Sequence, residues 1–234
     1  EIGDSCFVYC SKLITLNIPS TLVKLGTYSL GDTSSQVKAF DYLNNLEKVN
    51  VSENNPVFVS DNGILYAKNN NVATSLCFVP KAFAGDLILP KTINKIGKGA
   101  FKNNSKITSI SFADNMSACV LDGDKIVYKG DLLEVGEEAF YSCSRLKSVN
   151  LPNLASIPTS LFYMCQKLES FEVPNTVTSI ASKAFYYCTK LSSLTFEAGN
   201  DDSPLAIETV TGYNSSSFYH TALVNVNFPK RLTD

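Results

Sequence analysis

The chain has 234 residues, 44% of them hydrophobic, which is enough to bury a substantial core in one large domain or two small ones. Its 20 basic and 22 acidic residues give a formal net charge of -2 with no long run of either sign, so neither a nucleic-acid nor an anionic-membrane partner is indicated. No apolar run approaches the roughly 18 residues that cross a bilayer, and the opening EIGDSCFVYC lacks the features of a signal peptide.

A short unit recurs along the whole chain, and each copy contains a phenylalanine from which its positions can be counted. These phenylalanines are Phe7, Phe40, Phe101, Phe140, Phe162, Phe185 and Phe218. The shortest intervals between them are 22 and 23 residues, which is the basic unit, and the longer intervals contain insertions. Self-similarity at this period predicts a solenoid of stacked units.

Each unit reads P-x2-[VIL]-x2-[IL]-G-x2-A-F-x2-C-x2-L-x2-[LIVF]-x-[LIVF]. The alternation at plus nine and plus eleven predicts a short strand that pairs in parallel with its neighbours about 4.8 Å away. The A-F-x2-C segment is interpreted as a single helical turn, and the proline as a corner. Because one unit cannot bury its own apolar side, neighbouring units must cover it.

Along the chain, the first unit and the Phe40 unit are separated by an enlarged loop at 26–36. NNPVFVSDNGILYAKNNN (54–71) and ACVLDGDKIVYKG (118–130) each carry an Asp/Asn-Gly turn between β-rich segments, so each is predicted to be a hairpin. A degenerate copy from Thr74 to Pro80 is predicted to continue the parallel sheet past the first hairpin. A second enlarged loop, 197–217, precedes a final copy that is one residue short.

This unit closely resembles the leucine-rich repeat of the BspA-like, or Treponema pallidum-type, class. The resemblance rests on I-G-x2-A-F-x2-C or its variants at 96–104, 135–143 and 180–188, and on the segment NPVFVSDNGILYAK. It implies an α/β repeat fold, namely a right-handed solenoid with a concave parallel sheet, convex helical turns and inserted hairpins. Residues 1–234 would then form one domain of about seven to eight units. Because exposed end repeats normally need caps, we expect either extra chain in a longer protein or ends that are covered in some other way.

The cysteines do not predict catalysis or metal binding. Cys10, Cys143, Cys165 and Cys188 occupy plus three, where Leu43, Asn104 and Thr221 stand in other copies, so a buried column of free thiols is expected. Cys6, Cys77 and Cys119 lie outside this column. His220 is the chain's single histidine and has no nucleophile motif beside it, and no zinc or calcium spacing is present. No enzyme activity and no cofactor are therefore predicted.

Two surfaces are candidates for binding a partner. The outward positions plus eight and plus ten form a polar concave strip suited to a protein interface, although a merely solvated sheet face is an alternative. Its members are Thr15 and Asn17, Lys48 and Asn50, Ser109 and Ser111, Ser148 and Asn150, Ser170 and Glu172, Ser193 and Thr195, with Asn225 and Asn227 in the short copy.

The second candidate surface is a set of tyrosines at plus one and plus two. Tyrosine favours interfaces, but these rings are also suited to covering the seams between units. The set is Tyr9, Tyr42, Tyr141, Tyr163, Tyr186, Tyr187 and Tyr219.

Because proteins of the resembled class are secreted or displayed on bacterial surfaces and some are adhesins, the resemblance implies an extracellular binding module for host matrix or plasma proteins or for other cells. A carbohydrate-binding module and a structural spacer are the alternatives.

Overall fold

The computed structural model describes residues 1–26, 36–40, 42–113, 119–122, 125–128, 132–198, 204–207 and 215–233. These residues contain seventeen strands and a 3-10 helix, Lys38–Phe40. The strands are β1 (Thr15–Ile18), β2 (Lys48–Val51), β3 (Phe58–Asp61), β4 (Ile64–Asn69), β5 (Val72–Phe78), β6 (Gly85–Leu89), β7 (Lys95–Ile96), β8 (Ile107–Phe112), β9 (Cys119–Asp122), β10 (Lys125–Tyr128), β11 (Glu134–Val135), β12 (Ser148–Val149), β13 (Ser170–Val173), β14 (Ser179–Ile180), β15 (Ser193–Phe196), β16 (Leu205–Ile207) and β17 (Leu232–Thr233).

One set of strands forms where the L-x2-L-x-L pattern predicts it, with β6 as an additional member that was not predicted. Strand β1 pairs in parallel with β2, β8 lies between β6 and β12, and β13 pairs with β15. In β13, Phe171 and Val173 are buried while Ser170 and Glu172 are exposed, which is the period of two expected for a half-buried strand. We call β1, β2, β6, β8, β12, β13 and β15 the L-x-L strands.

The final copy does not form such a strand. Residues 221–228 are irregular, and of the two residues that the pattern places inward, Val226 is partly buried whereas Phe228 is 43% exposed. Because no strand forms here, the prediction that Asn225 and Asn227 continue the strip on a strand is wrong, although both side chains are exposed.

A second set of short parallel strands forms near the I-G pair of the units. Strand β7 lies between β5 and β11, and β16 lies between β14 and β17. Isolated parallel bridges, such as the one between Ile157 and Ile180, extend the same arrangement. The segment 197–217 is therefore not only a loop, because β16 within it places Leu205 in the core.

The A-F-x2-C segments of the Phe140, Phe162 and Phe185 units are not the predicted helical turns. Glu138 and Ser142 both have φ of 57°, whereas a right-handed helix needs negative φ throughout. The N–H of Phe140 donates to the carbonyl of Leu161 in the next unit at 3.1 Å, while the N–H of Cys143 donates within its own unit to Phe140. Donors thus alternate between local turns and the neighbouring unit, which a helix would not allow.

The insertion after β2 is built into the core. Strands β3 and β4 pair antiparallel with Asp61 opposite Ile64, and β4 pairs antiparallel with β5. The segment 74–80 then joins β7 instead of an L-x-L strand, so its predicted role in the first sheet is wrong. That role belongs to β6, where Leu87 and Leu89 point inward ahead of Pro90.

Two other predicted insertions are only partly described. In 118–130, β9 and β10 pair antiparallel with Cys119 opposite Tyr128. The loop predicted at 26–36 lies outside the described residues except for its two end positions.

The core consists of two clusters that meet at the insertion. The N-terminal cluster contains Leu65 and Ala67 of β4, whereas the C-terminal cluster contains Ile64 and Tyr66 of the same strand. Strand β4 is therefore buried on both faces, which explains its continuous apolar run.

Candidate functional site

The polar strip is laid out by the parallel register of the L-x-L strands. Ser170 lies opposite Ser193 and Glu172 opposite Thr195, and all four side chains are exposed. Ser148 lies opposite the half-buried Ser109. The structure therefore brings the predicted strip residues of neighbouring units together.

Amides link the strip at its other end and are exposed there. The Asn50 side-chain amide donates to the Asn17 side-chain oxygen at 2.9 Å across the β1–β2 pair. Asn150, at the same plus-ten position further along, is also exposed. Hydroxyls and amides that both donate and accept can adapt to a protein or sugar surface.

Sequence reasoning missed two strip residues, Asp86 and Ile88 of β6. Hydrogen bonds from the Ser109 and Thr108 hydroxyls, both 2.7 Å from the Asp86 carboxylate, lower the pKa of that carboxyl. Ile88 is 64% exposed among polar neighbours. The signal for β6 was the D-L-I-L-P alternation, which lacks the A-F-x2-C segment that marks the other units.

The plus-one tyrosines form a continuous stack. Ring centroids lie 4.6 Å apart between Tyr141 and Tyr163, 5.0 Å between Tyr163 and Tyr186, and 4.9 Å between Tyr186 and Tyr219. The Lys102 ammonium lies 5.2 Å from the Tyr141 centroid at one end of the stack. Tyr186 is buried, and the others are half-buried, so ring faces that a ligand would use contact neighbouring rings instead.

The plus-two aromatic residues are arranged differently. Tyr187 stacks on His220 with centroids 4.7 Å apart, and Tyr9 stacks on Tyr42 at 5.9 Å. Tyr9 and Tyr42 are 83% and 55% exposed. Of the four tyrosines predicted to contact a partner, the structure stacks Tyr141, Tyr163 and Tyr186 on one another. The fourth, Tyr187 at plus two, contacts Tyr186 with ring centroids 5.0 Å apart.

Three thiols of the plus-three column are fully buried, and each donates to a carbonyl of the preceding unit. The sulfur–oxygen distances are 3.2 Å from Cys143 to Phe101, 3.1 Å from Cys165 to Phe140 and 3.0 Å from Cys188 to Phe162. Burial raises the pKa of the Cys188 thiol to about 12 and raises those of the other two. Cys10 is exposed, so the expectation that it is buried in this column is wrong.

Chemistry of other kinds finds little support in the described part of the chain. No three of its histidine, cysteine or acidic side chains converge as metal ligands would. His220 is exposed and is held between two tyrosine rings. No helix of the described ranges has the length and hydropathy of a membrane span.

The repeat signature matches a known family across most of the sequence. The profile described as "BspA type Leucine rich repeat region" matches six copies, over residues 1–61, 74–123 and 118–234. The chain belongs to the BspA-type leucine-rich repeat family.

Solved structures of bacterial leucine-rich repeat proteins share the fold of this BspA-type chain. The pneumococcal vaccine antigen PcpA is 22% identical over 83% of the chain and 45% of its own, with a TM-score of 0.63. A leucine-rich repeat protein from Eubacterium ventriosum is 21% identical over 99% of the chain and 64% of its own, with a TM-score of 0.56. A leucine-rich cell surface protein from Faecalibacterium prausnitzii is 17% identical over 85% of the chain and 64% of its own, with a TM-score of 0.54.

The BspA-type chain thus spans less than two thirds of the length of each of these structures. No match was found among curated proteins. At these identities the likeness establishes the fold, and the family assignment is consistent with a protein-interaction module.

Proposed function

We propose that the chain is a non-enzymatic binding and adhesion module of a secreted or cell-surface bacterial protein. In this proposal residues 1–234 form one right-handed solenoid domain, and its polar strip recognises a host matrix or plasma protein or the surface of another cell. The handedness follows the strong preference of parallel strand crossovers for right-handed connections. The cell-surface protein from Faecalibacterium prausnitzii supports the location by analogy.

The observation that carries this proposal is the in-register row of exposed hydroxyls and amides on the L-x-L strands. In β13 these side chains alternate with the buried Phe171 and Val173, and in β15 they flank the buried Leu194, so the core holds the backbone of both strands. A rigid, polar and nearly neutral surface suits a protein interface, which carries about one hydrogen bond per 100–200 Å². The exposed Ile88 adds an apolar contact to the row.

A carbohydrate-binding module is less well supported by the same geometry. Sugar sites use open aromatic faces, whereas the faces of Tyr141, Tyr163 and Tyr186 contact one another. The Tyr9–Tyr42 pair is the exposed exception. A structural spacer is the third reading, and it requires no binding surface.

Capture assays on immobilised protein test the proposal. We expect the intact chain to retain host matrix or plasma proteins, and Ser170→Arg/Ser193→Arg to reduce capture at least about tenfold by placing two bulky cations on the strip. The control, Thr92→Arg/Thr178→Arg, adds the same charge at exposed positions off the strip and should leave capture within about twofold.

Equal loss in both variants, or none in either, would argue against the strip as the interface. If no protein is captured but a glycan array binds and the signal disappears with Tyr42→Ala, the carbohydrate reading replaces this one.

A further inference from the structure

The structure aligns four cations that the sequence disperses one per unit. Position plus five of the Phe101, Phe140, Phe162 and Phe185 units is exposed in every case. We call these residues the plus-five ridge: Lys106, Arg145, Lys167 and Lys190.

The ridge is held in line by the main chain and by the core. Consecutive units are joined two residues beyond it, where the N–H of Lys147 donates to Thr108, that of Glu169 to Lys147 and that of Ser192 to Glu169, at 2.8, 3.2 and 3.0 Å. The adjoining plus-six column is fully buried at every unit. It consists of Ile107, Leu146, Leu168 and Leu191. The four Cα atoms therefore follow the strand spacing of about 4.8 Å and span about 14 Å.

The ridge charges are not neutralised within the described residues. The ion pairs found there use Lys24, Lys95, Lys98 and Lys102, and none uses a ridge residue. At plus seven of the same units, Lys147 adds a cation and Glu169 is the one carboxylate. Since the Debye length at physiological salt is about 8 Å, which exceeds the spacing, the potentials of neighbouring ridge cations add.

The spacing discriminates between shapes of an anionic partner. Carboxylates on one face of an extended peptide are about 6.6 Å apart. If the first carboxylate is aligned with the first ridge cation, the fourth therefore lies roughly 5 Å beyond the fourth cation. Carboxylates on one face of a helix recur every 3 to 4 residues, or about 5.3 Å. The fourth carboxylate then lies only about 1.5 Å beyond the fourth ridge cation. The ridge and the flanking plus-four residues carry no aromatic platform for nucleobases or sugars; the plus-four residues are Ser105, Ser144, Gln166 and Thr189.

We propose that the plus-five ridge binds an acidic helix of a partner protein, with one carboxylate per turn facing each ridge cation. This rests on the proposed protein-binding function and names the chemistry of the partner. The ridge borders the polar strip, so one partner can contact both surfaces.

Two synthetic helical peptides of identical composition test the proposal against the intact chain. One carries glutamates at i, i+4, i+7 and i+11, and the other carries the same four glutamates distributed around the helix. We expect fluorescence anisotropy in low salt to show the striped peptide binding at least about tenfold more tightly, with the preference lost when salt is raised. Arg145→Glu/Lys167→Glu should weaken the striped peptide at least about tenfold.

The matched control is Lys91→Glu/Lys230→Glu, which makes the same change in net charge at exposed lysines off the ridge and should alter binding less than about twofold. Equal binding of the two peptides, no binding of either, or tight binding of dextran sulfate alone that depends on Arg145 and Lys167 would overturn the proposal. These outcomes do not depend on the capture of host proteins. The peptide experiment can therefore overturn the ridge proposal without affecting the strip proposal, and the capture assay can overturn the strip proposal without affecting the ridge proposal.

Discussion

The plus-three position shows how one place in the repeat accepts different side chains. In three units it holds a thiol that donates to the preceding unit, whereas in the Phe101 unit it holds Asn104. The Asn104 amide donates to the carbonyls of Pro80 and Phe83 and its oxygen accepts from the N–H groups of Lys106 and Ile107, all within 3.1 Å. Asn104 therefore provides hydrogen-bond partners for main-chain groups of its own unit and of the segment that precedes β6.

The buried thiols predict a loss of stability at alkaline pH. Burial raises the pKa of the Cys143, Cys165 and Cys188 thiols, while thiols of the unfolded chain ionise near pH 8.5. Above that pH the unfolded state binds fewer protons than the folded state, so the free energy of unfolding falls as pH rises. The limiting slope is about 1.4 kcal/mol per pH unit for each thiol.

Urea unfolding under reducing conditions between pH 7.5 and 9.5 measures this slope. Cys165→Ala should flatten it, because one of the buried titrating thiols is gone. Leu168→Ala is the control, since it empties an equally buried neighbouring position without removing a titrating group. Equal slopes for Cys165→Ala and the wild type would contradict the prediction.

At the scale of elements, the sequence predicts strands well where apolar residues alternate and predicts turns poorly. Phe171 and Val173 predict β13, because apolar residues at alternate positions are the sequence signature of a strand with one buried face. The A-F-x2-C segment reads as helical because Glu138, Ser142 and Lys183 carry no sign of the positive φ that they adopt. Such conformations favour glycine, so a turn that uses another residue at this position gives no signal in the sequence.

The candidate surfaces were predictable to the extent that they follow this alternation. Ser170 and Glu172 are exposed because their neighbours are buried, which the pattern contains. The stacking of Tyr141 on Tyr163 corresponds to one of two alternatives that the sequence left open, because a column of tyrosines suits both an interface and the seam between units. The plus-five ridge was overlooked because single cations 22 to 39 residues apart form no run in the sequence.

The antiparallel pair β3–β4 is fixed to β2 by a close approach at its connection. The N–H of Val49 donates to the Gly63 carbonyl at 2.9 Å, and a Cβ on Gly63 would lie 2.6 Å from the Lys48 Cβ. Gly63→Ala should therefore cost about 1–3 kcal/mol more than Gly85→Ala in urea unfolding. Both glycines have positive φ, 79° and 91°, but a Cβ on Gly85 meets open space. Equal costs would show that the connection does not dock on β2.

At the scale of the whole molecule, the insertion makes the core discontinuous. In a regular solenoid each unit contacts only its neighbours and stability is a sum of unit and interface terms. Here β4 is the interface, since Leu65 and Ala67 face the units that contain β1 and β2, while Ile64 and Tyr66 face the units that contain β7 and β8. Adjacent residues of one strand thus belong to different clusters.

Two adjacent substitutions should consequently loosen different parts of the molecule. Leu65→Ala and Ile64→Ala each remove a buried branched side chain at a cost of about 2–5 kcal/mol. In native-state hydrogen exchange, Leu65→Ala should lower protection mainly in β1 and β2, and Ile64→Ala mainly in β7 and β8, because each cavity opens in one cluster only. If both variants give the same protection profile, the two clusters unfold as one cooperative unit and β4 does not separate them.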